Sequence, residues 1–301
     1  MADYGHDLVF GAFITPSAQR PDQVVALAQL AERSGLDLVT FQDHPYQPAF
    51  LDTWTLLSYV AAATDRIRLS ANVLNLPLRS PVVIARSAAS LDLLSGGRVE
   101  LGIGAGGFWD AIEANGGRRL APGAAVEALA EAIQIIREVW AVDRRGGVRV
   151  EGRHYRVAGA KRGPAPAHDI GIWVGAYRPR MLRLIGRLAD GWLPSLPYLS
   201  GGPAELAEMN AHIDAAAAAA GRDPRAIRRL LNVAAPDPLT GSPHQWAHQL
   251  ADIALQYGIS GLIYMRDDPR ALEWFAREVA PAVRELVAAG RERRSPASPQ
   301  A

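Results

Sequence analysis

Short apolar runs alternate with longer amphipathic stretches along the whole chain. The runs are rich in Val, Ile, Leu and aromatic residues, and few of them alternate cleanly with polar residues. Such uninterrupted runs are typical of strands that are buried on both faces, as in parallel sheets. The pattern predicts strands over Leu8–Ile14, Asp37–Phe41, Ile67–Val73, Arg98–Ile103, Ile170–Val174, Gly191–Pro194, Arg229–Ala234 and Ile259–Tyr264.

The amphipathic stretches between these runs carry the punctuation of helices. Ser80-Pro81 and Ser242-Pro243 have the composition of helix starts, and Gly96 and Gly258 stand where a left-handed glycine ends a helix. Each predicted strand is followed by a helix, which predicts a (β/α)8 TIM barrel. A doubly wound open sheet is the alternative, but it rarely needs eight regular units. The predicted helices cover residues 22–34, 52–64, 81–95, 122–140, 178–189, 203–220, 242–257 and 269–289.

Two segments depart from this regular alternation. Residues 141–169 are too long for a helix-to-strand connection in a barrel, so we interpret them as an insertion. Within it, Val148–Val157 alternates around Gly152 as a small β-hairpin does. Residues 290–301 are charged, contain proline and are poor in apolar residues, which predicts a disordered tail. The remainder, residues 1–289, is predicted to be a single domain.

Composition narrows the class of protein. The 301 residues include 32 Lys and Arg against 31 Asp and Glu, a net charge of +1. No global field therefore attracts nucleic acid or an anionic membrane. The chain has no cysteine, which excludes disulfides, thiolate nucleophiles and zinc–thiolate sites. No apolar stretch approaches the roughly 20 residues that a membrane span needs. We expect a cytoplasmic enzyme that acts on a small molecule.

The carboxyl ends of the strands carry the active site in barrels of this type. Glycines, polar groups and aromatic rings are concentrated at those positions, which indicates a wide pocket for a flat organic molecule. The positions are Thr15, Asp43-His44, Asn72–Leu76, Gly104–Asp110, Gly175–Arg178, Trp192, Pro236 and Met265.

Asp43 and His44 directly follow the second predicted strand. A carboxylate beside an imidazole at this point could exchange protons with a substrate or act as a hydrogen-bonding pair. The alternative is a loop turn in which Asp43 only caps backbone amides. The spacing alone favours neither interpretation.

Two glycine-containing loops are candidates for contact with a cofactor. Gly102–Gly107 formally matches the dinucleotide fingerprint, but no obvious helix follows it and no acidic residue ends a following strand about 20 positions on. We interpret its small residues as allowing the backbone to approach a planar ligand. Gly175–Arg178 leads into a helix start flanked by two arginines, which favours a phosphate cradle over a plain solvated loop.

The histidines outside these loops do not indicate a metal site. His244 and His248 stand four residues apart, but Gln245 occupies the place of the glutamate in H-E-x-x-H and no third ligand is evident. We interpret both as surface residues of an outer helix. A metal-dependent barrel hydrolase would need ligands at several strand ends, where only Asp43-His44 qualifies.

Five stretches, in this order and at these spacings, resemble a known superfamily. They are Gln42-Asp43-His44, RLSANVLNLPLRSPVVIAR (68–86), LDLLSGGRVELGIGAGG (91–107), IWVGAYRPRMLRLIGRLADGW (172–192) and GISGLIYM (258–265). Together they are similar to the bacterial luciferase-like superfamily of flavin- and deazaflavin-dependent oxidoreductases, over nearly the whole chain. The Asp-His pair resembles the branch that uses coenzyme F420, a deazaflavin hydride carrier, rather than the luciferases that use FMN.

The resemblance implies a role for each matching position. Asp43 would hydrogen-bond the deazaflavin ring system, and His44 would lie beside its reactive face. Asn72-Val73 matches the place where the family carries a non-proline cis peptide, in a bulge that backs the ring. The other implied cofactor contacts are Ala105 and Gly106 at the ring or its ribityl chain, Gly175, Ala176 and Tyr177 near the phosphate, and the adjoining Gly107 and Arg178.

Two departures from the family change the expected chemistry. The F420-dependent sugar-phosphate dehydrogenases have a glutamate proton donor where Gly107 stands and a tryptophan where this chain has Pro48. Sugar-phosphate oxidation is therefore not expected, and His44 is the best remaining acid. The candidates for the substrate pocket are Tyr46 and Asp110, which could assist His44, and Trp109, for which barrel packing is an equal alternative.

The leading hypothesis is an F420-dependent oxidoreductase that transfers hydride between deazaflavin C5 and an activated C=C, C=N or C=O bond, or an alcohol. His44 would give or take the proton. The alternative is an FMN-dependent monooxygenase that receives reduced flavin from a partner reductase. A non-catalytic flavin-binding protein is a weaker alternative, because it would need no titratable group over the ring. The resemblance also implies a homodimer.

Overall fold

A closed parallel barrel forms the centre of the protein. The computed structural model describes residues 3–234 and 242–294. Within this part of the chain, eight strands pair in the cyclic order β1-β2-β3-β5-β8-β9-β10-β11, and β11 pairs back to β1. These strands are β1 (Val9–Ile14), β2 (Leu38–Phe41), β3 (Arg68–Ala71), β5 (Val99–Gly104), β8 (Ile172–Val174), β9 (Gly191–Trp192), β10 (Arg228–Val233) and β11 (Gly261–Met265). The TIM-barrel prediction is confirmed.

The strands form where the apolar runs predicted them because both of their faces are covered. Every residue of β2 and of β5 is buried, as expected for strands between a barrel interior and a layer of helices. A short additional strand, β4 (Leu74–Asn75), pairs with the end of β5 after the chain bulges out of β3. The predicted strand Ile67–Val73 ends before this short strand, which the sequence pattern did not predict.

The helices follow the predicted punctuation closely. Gly96 and Gly258 end their helices in the left-handed conformation, with φ of 70° at both. Ser242 makes a capping box with Gln245, whereas Ser80 makes no side-chain cap. The helices are α1 (Pro21–Arg33), α2 (Thr53–Ala62), α3 (Pro81–Ser95), α4 (Trp109–Ala114), α5 (Pro122–Trp140), α6 (Pro179–Leu188), α7 (Glu205–Ala219), α8 (Pro243–Tyr257), α9 (Pro269–Trp274) and α10 (Ala280–Arg294).

The carboxyl-terminal segment corrects the prediction in two respects. The predicted helix over 269–289 is interrupted by a π-helical turn, Phe275–Val279, between α9 and α10. Helix α10 continues to Arg294, so residues 290–294 are not part of a disordered tail. Arg291 accounts for part of this extension, because its guanidinium binds the Asp3 carboxylate at 2.9 Å. Residues 295–301 lie outside the described part of the chain.

The insertion contains the predicted hairpin. Strands β6 (Val148–Glu151) and β7 (Arg156–Ala160) pair antiparallel and form a separate two-stranded sheet. Glu131 of α5 anchors the turn by accepting hydrogen bonds from three consecutive backbone amides, at 2.8–2.9 Å. The returning chain is held by the buried Asp92 carboxylate, which accepts the amides of Ala167 and His168. The insertion is therefore fixed to the outside of the barrel.

None of the helices in residues 3–234 and 242–294 combines the length and the apolar character that crossing a membrane requires. The cytoplasmic location stays a prediction.

Candidate active site

A cavity of about 600 Å³ opens at the carboxyl ends of the barrel strands. This is the end at which TIM-barrel enzymes place their chemistry. Its lining combines aromatic and aliphatic side chains with amides, hydroxyls and glycine backbone. The lining residues are Phe13, Thr15, Gln42, Asp43, His44, Tyr46, Asn72, Val73, Leu74, Asn75, Gly104, Ala105, Gly106, Gly107, Phe108, Gly175, Tyr177, Leu193, Ser195, Tyr198, Asn232, Met265, Arg266 and Asp267.

One wall is built by the bulge between β3 and β4. The Asn72–Val73 peptide bond is cis, as the resemblance implied. The Asn72 amide donates to the Phe41 carbonyl at 2.8 Å, which holds the bulge against β2. Val73 lies between two glycines: a Cβ on Gly104 would come within 2.7 Å of its Cγ2, and one on Gly175 within 3.4 Å. Only glycine at position 104 leaves room for this valine wall.

The glycine loop after β5 forms the adjacent wall. Gly106 has φ of 96°, and a Cβ there would meet Pro77 at 2.7 Å and Trp109 at 3.1 Å. A Cβ on Gly107, by contrast, would meet no atom within 4 Å. The loop therefore needs glycine at position 106 for its own conformation, whereas Gly107 faces open space. The position at which the resemblance implied a glutamate in the sugar-phosphate dehydrogenases therefore has open space around it.

Asp43 is buried at the base of the cavity, with 2% of its surface exposed. Its carboxylate accepts the Asn75 amide at 2.8 Å and binds Arg79 through two contacts, at 3.1 Å to Nε and 2.9 Å to Nη2. The resemblance implied that Asp43 contacts the deazaflavin ring. The structure gives both of its oxygens protein partners, so capping of a backbone amide and pairing with Arg79 are the interactions it shows.

His44 lies at the cavity among aromatic rings. Its ring centroid is 5.4 Å from that of Tyr46, 6.2 Å from Phe50 and 5.3 Å from Phe108. No hydrogen bond to its imidazole is formed within the described residues. Burial lowers the pKa of His44 and the Asp43 charge raises it; the net shift is downward. The imidazole is therefore neutral near pH 7, with both nitrogens available to a ligand.

A hydrogen-bonded network of side chains lies on the cavity floor. The Asn72 and Asn232 amides bind each other reciprocally, at 2.8 and 3.1 Å. Asn72 also donates to Thr40 at 3.2 Å, and Asn232 donates to Ser195 at 2.9 Å. The network joins β2, the bulge after β3, the segment after β9, and β10, and so spans the barrel interior. Because hydrogen-bonded partners in it are up to 160 positions apart, neither Ser195 nor Asn232 carried a signal in the sequence.

Most of the predicted site residues meet in this cavity. Ten of the predicted positions line it: Asp43, His44, Tyr46, Asn72, Val73, Ala105, Gly106, Gly107, Gly175 and Tyr177. The Tyr177 hydroxyl accepts the Ser195 amide at 2.8 Å, and burial raises the pKa of Tyr177. Its hydroxyl therefore stays protonated at neutral pH and helps to fix the wall.

Four predicted positions are not among the lining residues, and the contacts or exposure of each side chain show where it lies instead. Asp110 is on α4, with 99% of its side chain exposed, and pairs with Arg119. Trp109 lies behind the glycine loop against Gly106, so Phe108 takes the place predicted for it. Ala176 is buried and its carbonyl accepts the Trp192 indole N–H at 2.9 Å. Arg178 is the exposed N-cap of α6, at the rim.

Other predicted strand-end positions have mixed outcomes. Thr15 and Met265 line the cavity, whereas Trp192 is fully buried in the barrel core. Pro236 lies outside the described residues. His244 and His248 are exposed on α8, with their Nε2 atoms 3.3 Å apart. Within the described chain, no group of three or more acidic or imidazole side chains is placed to hold a metal ion.

The aromatic and rim residues of the cavity were missed by sequence reasoning. Phe13, Gln42, Leu193, Tyr198, Arg266 and Asp267 all line it. Phe108, within the predicted range Gly104–Asp110, also lines it and is 62% exposed. The sequence does not distinguish an exposed ring from a buried one, so only the structure shows that this ring faces the cavity. The others required knowledge of which side of each strand end faces inward.

The closed parallel barrel and the cavity at its carboxyl end define the class as a TIM barrel with a candidate active site. Residues 8–238 match the model of the luciferase-like monooxygenase family. The chain belongs to that family and is one of its oxidoreductases.

Several known proteins are similar to this chain. The F420-dependent glucose-6-phosphate dehydrogenase of Nocardia farcinica is 32% identical over 249 residues, which are 75% of this chain and 68% of that protein. The phthiodiolone/phenolphthiodiolone dimycocerosates ketoreductase of Mycobacterium sp. (strain JLS) is 36% identical over 192 residues, 61% of this chain and 47% of that protein. The match thus spans two thirds of the first relative and about half of the second.

The fold is shared with solved structures of the same kind. A structure of an F420-dependent secondary alcohol dehydrogenase, in complex with an F420–acetone adduct, superposes with a TM-score of 0.80 at 18% identity. The match covers 92% of this chain and 99% of that one. At this level of identity the likeness supports the barrel architecture.

Proposed function

We propose that this protein is an F420-dependent oxidoreductase that moves hydride between deazaflavin C5 and a small organic substrate, with His44 exchanging the substrate proton. The observation that carries the proposal is His44 itself: a neutral, partly buried imidazole at the cavity whose ring nitrogens have no partner within the described residues. One relative is named as an F420-dependent dehydrogenase and another as a ketoreductase, and both names support hydride transfer as the proposed chemistry.

The residues at the cavity suit a planar cofactor. Val73 offers a flat aliphatic surface between Gly104 and Gly175, neither of which has a side chain to occupy the adjoining space. Asn75 Oδ1 is buried in the same wall without a hydrogen-bond partner. Such an atom is costly to leave unpaired, and a donor on a bound ring would satisfy it. The loop Gly175–Arg178 would hold the cofactor phosphate at the start of α6.

His44 would carry the proton while the cofactor, when bound, supplies the hydride acceptor or donor. In alcohol oxidation the neutral imidazole accepts the hydroxyl proton as the C–H bond is broken, and the C=O bond forms. In the reverse direction the imidazolium returns that proton to the oxygen. Proton transfer near neutral pH suits a group with the pKa of an imidazole.

The substrate class is proposed to exclude sugar phosphates. Gly107 has no side chain, so the glutamate proton donor that the resemblance assigns to those dehydrogenases is missing at this position. The rings of Tyr46 and Phe108, with centroids 5.9 Å apart, instead place aromatic surface beside His44. An uncharged alcohol, ketone, imine or unsaturated carbonyl compound fits these surroundings.

Parallel titration of the purified protein with F420 and with FMN tests the cofactor. We expect F420 to bind more tightly than FMN, because similar proteins carry F420-dependent names. Quenching of cofactor fluorescence at moderate salt measures both affinities. A clear preference for FMN would contradict the proposal and favour a monooxygenase supplied by a reductase. If neither cofactor bound, the assignment of Gly175–Arg178 as a phosphate cradle would be contradicted.

We also propose that the protein is a homodimer that pairs through α2 and α3. Tyr59, Val83 and Leu94 are 65%, 58% and 86% exposed on these helices. Helix α2 has no charged residue, and the two charges of α3 are engaged: Arg86 binds backbone carbonyls and Asp92 is buried. An uncharged apolar face suits a symmetric contact, in which each residue meets the same surface of a second copy.

Leu94→Glu is expected to convert the dimer to a monomer, because it would bury carboxylates in the twofold contact. Size-exclusion chromatography with light scattering gives the mass. Val142→Glu is the matched control, since Val142 is 52% exposed on the insertion and should leave the mass unchanged. A wild-type monomer at micromolar concentration would refute the pairing.

A further inference from the structure

Arg79 lies beneath the cavity and joins three segments of the site. Its guanidinium binds Asp43 with Nε and Nη2, and Nη2 also contacts Asp52 Oδ1 at 2.8 Å. Asp52 is the N-cap of α2 and accepts the Thr55 amide at 2.9 Å. Arg79 itself follows the turn after β4. One cation is thus shared between the loop that carries His44 and the start of a barrel helix.

The ion pair between Arg79 and Asp43 is shielded from water. The Asp43 side chain is 1% exposed and that of Arg79 is 19% exposed. Burial alone would lower the pKa of Arg79, but Asp43 and then Asp52 raise it. Removing one partner of such a pair leaves an uncompensated buried charge. Arg79 is therefore the cation that compensates the buried Asp43 carboxylate, and it is shared with the more exposed Asp52.

Asp43 is the charged group that raises the pKa of the neighbouring His44 imidazole. His44 is next to Asp43 in the chain, and the other groups around it are the rings of Tyr46, Phe50 and Phe108. Among them Tyr46 alone titrates, and burial followed by the Asp43 charge raises its pKa. With Arg79 in place, Asp43 is directed to Arg79 and Asn75, and it makes no hydrogen bond to His44 within the described residues.

We propose that Arg79 is a positioning residue that holds Asp43 in its own ion pair, so that His44 enters the reaction as a neutral, unpaired imidazole. Without Arg79, Asp43 would pair with His44 and hold it protonated, which would remove the proton acceptor. This inference builds on the catalytic role proposed for His44. Its central test needs neither cofactor nor turnover, so the two proposals can fail separately.

Titration of the His44 imidazole by NMR in the cofactor-free protein tests the inference. The His44 signal is assigned as the one that is lost in His44→Gln. We expect Arg79→Met to raise the pKa of His44 by about one unit or more, the size of effect that a newly available opposite charge produces. Arg79→Lys keeps the positive charge and should stay close to wild type. Arg86→Met is the matched control, because it removes an arginine seven positions further along the chain that binds the carbonyls of Lys161 and Gly163 instead of Asp43. It should leave the pKa of His44 unchanged.

A double variant guards against loss of folding. An Asp43→Asn background removes the buried carboxylate, and Asp52, which also loses Arg79, is 47% exposed and keeps its bond from the Thr55 amide. Arg79→Met should therefore fold there even if it does not alone. We expect no change in the His44 titration when Arg79→Met is added to Asp43→Asn. An unchanged His44 pKa in folded Arg79→Met would overturn the inference. So would an equal shift with and without Asp43.

Where activity is measurable, the same variants give a second readout. The acidic limb of the pH profile for alcohol oxidation should move upward in Arg79→Met and return in Arg79→Lys. A purely structural role for Arg79 would lower the rate at all pH values without moving the limb.

Discussion

Replacing His44 by alanine should lower turnover by about 100- to 10,000-fold, the usual range for the loss of a positioned proton-transfer group. The affinity for F420 should change by less than about threefold, because the imidazole would exchange a proton with the substrate and does not anchor the cofactor. The physical basis is the place of His44 at the cavity, with aromatic rings on three sides and its nitrogens unpaired. Steady-state kinetics and fluorescence titration measure the two quantities on the same preparation.

His248→Ala is the matched control for this substitution. His248 lies on the outer helix α8, where its ring contacts that of His244 edge to face at a centroid distance of 4.5 Å. Removing it takes away an imidazole of the same chemistry without touching the cavity, so turnover should be unchanged. If His44→Ala weakened cofactor binding as much as it lowered turnover, His44 would be a binding residue and the proton-transfer role would be lost.

The second large effect concerns Gly102, within β5. We expect Gly102→Ala to lower the free energy of unfolding by about 3 kcal/mol, the upper range for overpacking a well-filled interior. A Cβ at this position would overlap the carbonyl oxygen of Ala71 and come within 3.1 Å of the Ala71 carbonyl carbon and of Ser70 Oγ. These atoms belong to the end of β3, where the Gly102 amide donates to Ser70 Oγ at 3.1 Å. Backbone at a strand end cannot move aside as a flexible side chain can.

Gly107→Ala provides the comparison for that measurement. Gly107 is five positions further along the chain, in the loop after β5, and a Cβ there would meet nothing within 4 Å. Its effect on unfolding should stay within about 0.5 kcal/mol, as for an ordinary surface substitution. Urea denaturation followed by circular dichroism gives both values. Equal midpoints for the two variants would show that β5 can shift away from β3, against the close approach seen in the structure.

This pair of glycines also shows what the sequence could and could not predict about the site. In the run Gly102–Gly107 the glycines look alike, and the sequence supported only a general statement about close backbone approach. The structure gives them different roles. Gly102 makes room for Ala71, Gly104 for Val73, and Gly106 adopts a left-handed conformation. These differences depend on atoms contributed by β3 and the bulge after it, some 30 positions earlier in the chain.

The Asp43-His44 pair shows a similar division. The sequence placed both residues at a strand end, where side chains face the cavity, and left open whether Asp43 acts on a ligand or caps an amide. The partners that decide its surroundings, Asn75 and Arg79, are 32 and 36 positions away. No spacing in the sequence marks Arg79 as a partner of Asp43, and the structure shows the two paired at the base of the site.

The sequence by itself determined the order and type of the elements, the barrel and the end at which the cavity opens. These follow from local causes: apolar runs that must be buried on both faces, and glycines and prolines that begin and end helices wherever they stand. Tertiary structure alone decided which residues of each strand end face the cavity. It turned Phe108 rather than Trp109 toward it, exposed Asp110, and joined Asn72 to Asn232 across the barrel. The reason is that closure of the barrel brings strands from the whole chain within hydrogen-bonding distance, and the partners that it creates have no fixed spacing in the sequence.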